Sequence, residues 1–359
     1  MLVAAALLLA GGLGAVHWQR RQPVQVAVGI DLPLVPGAAI DPTDRHTADL
    51  YLEENPGTRM RLVNHLNAPD PATGPASIAA LRRQGVRFFI TTQASSHAVR
   101  SLSQFADGGA LAINVSATSD QLSGRNDLFL RIIPDLAQEQ RAIARRLGAI
   151  PGRRLLVLQD TGNRAYTDPA FRVLSAELAR AGRWQVVRRE LALARFSPQQ
   201  HRGLLMGDYD ALYVLGGGFI PVIGNLAQLF HTLHPEAPIL LTPWARSPAI
   251  LESAGPATGQ ILLSSTFPAR NQDPRVDRYF RRFERRFGYQ PYAMGMSTRK
   301  ALELLDRALA SGASTPSAVK RYLLSKAEHP TSLGPIRFNG SGDVQGTYHF
   351  FRPSAQALP

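Results

Sequence analysis

From Val24 onward the chain alternates short β-rich runs with helix-length amphipathic stretches, and this regular alternation leaves few folds open. The strand candidates are 24–30, 60–66, 86–91, 110–115, 154–159, 185–190, 211–215 and 238–242. Helical patterns fill 44–54, 75–84, 96–105, 137–147, 169–181, 199–206 and 220–233. Strand–helix units repeating at this length predict an α/β fold with parallel sheets covered by helices on both faces. The 359 residues exceed one ordinary domain and fit two Rossmann-like lobes. The last third differs. Long helical stretches at 274–287 and 292–310 and a shorter one at 316–326 lead to two small strands, 336–338 and 347–351. The turn-forming run Asn339-Gly340-Ser341-Gly342-Asp343 separates those strands.

The segment Leu2–Val16 is apolar and ends in His17-Trp18-Gln19-Arg20-Arg21. It is short for a membrane span and matches a secretory leader core. Residues 1–22 are read as a signal peptide or an N-terminal membrane anchor, and the body as periplasmic or extracytoplasmic. The absence of cysteine excludes a disulfide scaffold, a thiolate metal site and a cysteine nucleophile. Net charge is +13, and the basic residues are arginines apart from Lys300, Lys320 and Lys326. The densest basic run, Arg278–Phe287, places Phe280, Phe283 and Phe287 on one helical stripe. That spacing reads as an amphipathic surface helix, with no nucleic-acid partner.

In parallel sheets, ligands meet the carboxyl ends of strands. Two consecutive strand ends are rich in hydroxyls, Thr91-Thr92-Gln93-Ala94-Ser95-Ser96 and Ser116-Ala117-Thr118-Ser119, and together they suit an anion or carboxylate. Asp160 closes an apolar strand, with Tyr166 in the loop that follows. Gly216-Gly217-Gly218-Phe219 lets backbone approach a ligand but lacks dinucleotide spacing, because Pro221 takes the last position. There is no nucleophile elbow, no phosphate loop and no metal-ligand pattern around His231 and His234. The residues specify no catalysis, metal or cofactor, and the chain is read as not an enzyme.

The order of several segments resembles the type I periplasmic solute-binding proteins, in their leucine/isoleucine/valine-binding branch. The segments are Val26–Leu34, Ile90–Ser96, Ile113–Leu122, Phe129–Pro134 with Gln138 and Gln140, Phe287–Pro291 and Leu333–Asp343. The resemblance implies two lobes joined by a three-strand hinge that close on one small solute. Residues 24–132 plus 266–332 would form lobe one, and 133–265 plus 333–354 lobe two. It assigns Ser95 and Thr118, with backbone at Ala94, Ser116 and Ala117, to a ligand carboxylate. It sets Tyr166 and Phe219 as aromatics closing from lobe two. The implied function is capture of a small polar, carboxylate-bearing solute, amino-acid-like or amide-like, for an ABC permease and its ATPase subunits. The alternative is a membrane-anchored sensing or accessory domain without transport. Two positions depart from the pattern. Trp244 follows Thr242-Pro243, where amino-acid binders carry a glutamate for the ligand ammonium, and Arg299-Lys300 replaces the usual Tyr-Asp of the long helix. Either Asp160 then supplies the acceptor, or the ligand lacks an amine and stacks on Trp244.

Overall fold

The computed structural model describes residues 22–29, 42–63, 74–216, 222–247 and 249–358. The leader expected at 1–22 falls outside these apart from Gln22, and so does Phe219. No helix among the described residues is long and apolar enough to cross a membrane.

The first half contains β1 (Val24–Val28), α1 (Thr43–Glu54), β2 (Met60–Val63), α2 (Gly74–Arg83), β3 (Phe88–Thr91), α3 (Ser95–Ser101), β4 (Leu111–Asn114) and β5 (Phe129–Arg131). Its strands pair in the order β2-β1-β3-β4-β5, all parallel. Next come α4 (Leu136–Gly148), β6 (Arg154–Asp160), α5 (Arg164–Ala181), β7 (Gln185–Leu191), α6 (Pro198–Leu205), β8 (Ala211–Leu215), α7 (Val222–Leu233), β9 (Ile239–Leu241), α8 (Ala249–Ala254) and β10 (Ile261–Ser265). The chain ends with α9 (Pro274–Phe287), α10 (Met294–Ala310), α11 (Pro316–Leu324) and β11 (His349–Phe351). The second sheet runs β11-β10-β9-β8-β6-β7, with only β11 antiparallel among its described pairs. This is the α/β architecture with two parallel-dominated sheets that the alternation predicts.

Burial on both faces explains the strand sequences. Leu155, Leu156, Val157 and Leu158 of β6 are all fully buried, because helices cover that sheet on either side. The late helices return to the first sheet: Leu302, Leu305 and Leu309 of α10 and Val319 and Leu323 of α11 join Val26, Ile90 and Ile113 in one core. Along α10, Gly295 lies so close to Tyr279, Thr43 and Thr47 that a Cβ would displace them. The basic run is the surface helix α9. Phe280 and Phe283 are buried, while Arg282 and Arg286 reach Glu54 and Glu53 of α1.

Three connections join the halves, at 132–135, 266–269 and 333–348. The first and third are laced together. The Arg131 amide donates to the Gly342 carbonyl, Pro134 bridges Val344, and Gln138 bonds both the Val344 carbonyl and the Gly346 amide. The Arg131 guanidinium is 1% exposed and pairs with Asp343 while donating to the Ser119 carbonyl and Ser123 Oγ. The expected strand at 336–338 is instead a pair of isolated bridges, Ile336 to His329 and Phe338 to Val344. The turn at 339–343 closes onto Val344, so the late strand shortens to 349–351.

Candidate functional site

Strand order reverses between β1 and β3 in the first sheet and between β6 and β8 in the second. Crevices at such switch points are where open α/β sheets bind ligands. The carboxyl ends of β3 and β4 carry Ser95 and Thr118, and the carboxyl end of β6 leads to Asn163 and Tyr166.

Asn114 builds the hydroxyl-rich edge. Fully buried, its Nδ2 donates to Thr91 Oγ1 and the Gln93 carbonyl, and its Oδ1 accepts the Ser116 and Ala117 amides. Those two amides, expected to face a ligand, are therefore engaged within the loop. Ser116 Oγ also turns inward, toward the Thr92 and Gln93 carbonyls. Ala94 caps α3 through its extended backbone alone. Ser95 Oγ accepts the Thr118 and Ser119 amides at 3.1 Å each, which leaves its proton available to donate. Thr118 is 2% exposed, and its Oγ1 has no hydrogen-bond partner among the described residues.

Thr118 lines a cavity of about 30 Å³ between the two sheets, with Trp244, Thr266, Met294, Ser297 and Tyr348 among its walls. Every residue lining it is neutral. The halves are in contact beside it: Asn163 Oδ1 accepts from Ser96 N at 3.2 Å and Ser96 Oγ at 2.9 Å. An oxygen from the second half thus takes the amide at the start of α3 where the sequence reading placed a ligand carboxylate. Asn163→Ala is expected to cost about 1 kcal/mol and to raise the radius of gyration in small-angle scattering. Unchanged scattering would show that packing alone holds the halves together.

The second-half residues sit differently from expectation. Asp160 Oδ1 accepts the Gly162 and Leu193 amides, so this carboxylate staples two loops and does not line the cavity. Tyr166 lies in the first turn of α5, because that helix starts at Arg164 and carries Pro169 inside it. Its ring is buried edge-on to Trp244, with centroids 6.5 Å apart, and Trp244 forms the wall in its place.

Two groups escaped sequence reasoning. Glu139 on α4 is 0% exposed; Tyr166 Oη donates to its Oε1 at 2.6 Å, and Oε2 has no partner among the described residues. Burial pushes its carboxyl up to about 8 despite the tyrosine hydrogen bond. Its signal was a charged residue on the apolar stripe of Leu136, Ile143 and Leu147. Arg246, also buried, donates to Ser265 Oγ and the Phe267 carbonyl and lies 5.0 Å over the Phe351 ring. It ties the loop after β9 to the second connection, and desolvation lowers its pKa to about 9.

No protein-family model and no curated protein sequence matches the chain. Solved structures do. A leucine-binding protein from Thermotoga maritima superposes with a TM-score of 0.80 at 18% identity, over 94% of this chain and 97% of that one. A solute-binding protein of an ABC transporter from Rhodopseudomonas palustris, in complex with 3,4-dihydroxybenzoic acid, gives 0.78 at 14% identity, over 94% and 95%. A branched-chain amino acid transporter substrate-binding protein from Streptococcus pneumoniae, in complex with isoleucine, gives 0.76 at 13% identity, over 94% and 98%.

Proposed function

We propose that this chain, which has the fold of the type I periplasmic binding proteins, is the exported solute-capturing component of an ABC importer. Its two halves would close on a small carboxylate-bearing molecule and present it to a permease. The observation that carries this reading is the unpartnered hydroxyl of Thr118, buried at a cavity between the two halves. Ser95 supplies a second donor beside it. Neutral donors in a water-poor cleft suit a carboxylate.

The neutral wall also bears on the class of solute. An ammonium buried there would meet no carboxylate among the lining residues, which is costly. Trp244 and Tyr348 instead offer apolar and aromatic surface. The preferred solute is therefore an organic acid with an apolar or aromatic body and no α-amino group. Ser95, Thr118 and Trp244 are its contacts; Tyr166 backs Trp244, and Asp160 only holds the loop after β6.

One observation favours the accessory-domain alternative: about 30 Å³ holds little more than a single water molecule. Solute entry then requires the halves to part. A thermal-shift screen against aromatic acids, aliphatic acids, amino acids and amides separates the readings. An acid at about 100 times its dissociation constant adds roughly 2.7 kcal/mol of stability. Thr118→Val and Ser95→Ala are each expected to weaken its binding by about 1–3 kcal/mol. A well-folded sample that responds to no solute would sink the importer reading.

A further inference from the structure

The pair Arg299-Lys300 on α10 is divided by the fold. Arg299 faces α1, where it bonds Glu54 and lies 4.6 Å over the Tyr51 ring, and it also bonds Glu303 on its own helix. Lys300 turns toward the hinge. It is 9% exposed and forms no ion pair among the described residues; its Nζ lies 3.5 Å from the Pro335 carbonyl and 5.4 Å from the centre of the Phe267 ring.

Lys300, Phe267 and Pro335 all line a cavity of about 350 Å³. This lies within the range of small-molecule sites and is far larger than the cavity at Thr118. All three connections between the halves contribute to it, through Ile133, Thr266 and Ile336 among others. Phe267, Ile133 and Ile336 give the wall apolar surface, beside Ser297, Gln345 and Thr347. The other charges around it are already committed. Arg275 holds both oxygens of Asp273, and Glu303, one turn along α10, is taken by Arg299 and by Ser332. His349 has its pKa lowered by burial and by Arg246, so it adds no charge at neutral pH. The Lys300 ammonium is thus the charge in this cavity that has no ion-pair partner among the described residues.

We propose that this hinge cavity is a second ligand site, specific for a small monocarboxylate with a compact apolar body. The carboxylate would accept from Lys300 Nζ, and the body would lie against Phe267, Ile133 and Ile336. The charge balance argues for one negative charge: a neutral ligand leaves the ammonium unpaired, and a dianion brings a charge with no counterpart. A buried cation without an anion is costly, and a bound carboxylate removes that cost. The proposal does not depend on what the Thr118 cavity binds.

The test is calorimetric titration of the full chain with benzoate and hexanoate, each beside its neutral amide, at up to about 10 mM, which covers millimolar affinities. At least one acid should bind and its amide should not. Lys300→Met should weaken that acid at least tenfold, whereas Thr118→Val should leave the Lys300-dependent binding unchanged. Replacing a buried charge by an apolar chain of similar size is well tolerated. Thr347→Trp, at the exposed rim, gives a second variant that should also block entry. Burial holds the Lys300 pKa down to about 8, so affinity should fall as pH rises from 7 to 9.5. Absence of acid binding would overturn the proposal. So would acid binding that Lys300→Met leaves intact, or binding that Thr118→Val abolishes.

Discussion

Asp343→Ala is expected to lower the unfolding free energy by about 3–5 kcal/mol, because it leaves a buried guanidinium without its anion. Arg131 is 1% exposed and meets Asp343 through Nε at 3.0 Å and through Nη2. The other carboxylate oxygen accepts the Gly124 amide at 2.8 Å, so the substitution also removes a loop anchor. The Arg131 side chain additionally donates to the Ser119 carbonyl, next to Thr118. Its release should therefore loosen the hydroxyl-rich loop together with the connections between the halves. Urea unfolding of Asp343→Ala beside the double variant Arg131→Met/Asp343→Ala gives the readout. The double variant should recover part of the loss, since it removes the stranded charge. A loss under about 1 kcal/mol in the single variant would mean that water reaches the guanidinium and the pair adds little.

Glu139→Gln should remove a pH dependence. The folded carboxyl has its pKa raised to about 8 from an ordinary 4.5 by burial without a cation. A carboxyl that binds its proton more tightly when folded supports folding while protonated. That support is complete below pH 4.5 and is lost as pH rises through 8. The wild-type protein should lose on the order of 3–5 kcal/mol from this group between pH 4.5 and 9. Glu139→Gln keeps an acceptor for Tyr166 Oη and carries no titrating proton, so its profile should be flatter and its stability greater above pH 8. Parallel urea midpoints for the two proteins across that range would reject the assignment.

The alternation of apolar runs and amphipathic stretches made the α/β class readable, because a strand buried on both faces cannot avoid a continuous apolar sequence. β10 was missed: Ile261–Ser265 is short and follows a 3₁₀ segment, so no clear helix marks it as the next unit of the series. The start of α5 was misplaced because proline favours a first helical turn, whereas here Pro169 sits inside a helix that begins at Arg164. At the site, Ser95 and Thr118 were legible as hydroxyls at consecutive strand ends. Asp160 and Tyr166 were legible as polar groups near the cleft, but their partners were not. Whether a carboxylate faces a ligand or two loop amides depends on where Leu193 lies, and that is set by tertiary packing. Asn114 and Glu139 gave a weaker signal, a polar residue on a buried strand or stripe, which becomes informative only once the surrounding contacts are known.

The return of α10 and α11 to the first sheet also bears on how the protein comes into being. The strands β1 to β5 emerge from the ribosome with one apolar face only partly covered, by Ala48 and Tyr51 of α1. Val26, Ile90 and Ile113 on that face receive their cover from Leu302, Leu305 and Val319, which lie in elements that follow the whole second sheet. At typical synthesis rates of about 5–20 residues per second, the amino-terminal half waits roughly 10–40 seconds for its lid. During that interval it is a sticky intermediate, and a nascent-chain holdase or a translocation channel would find in it an unfolded client rather than a finished domain.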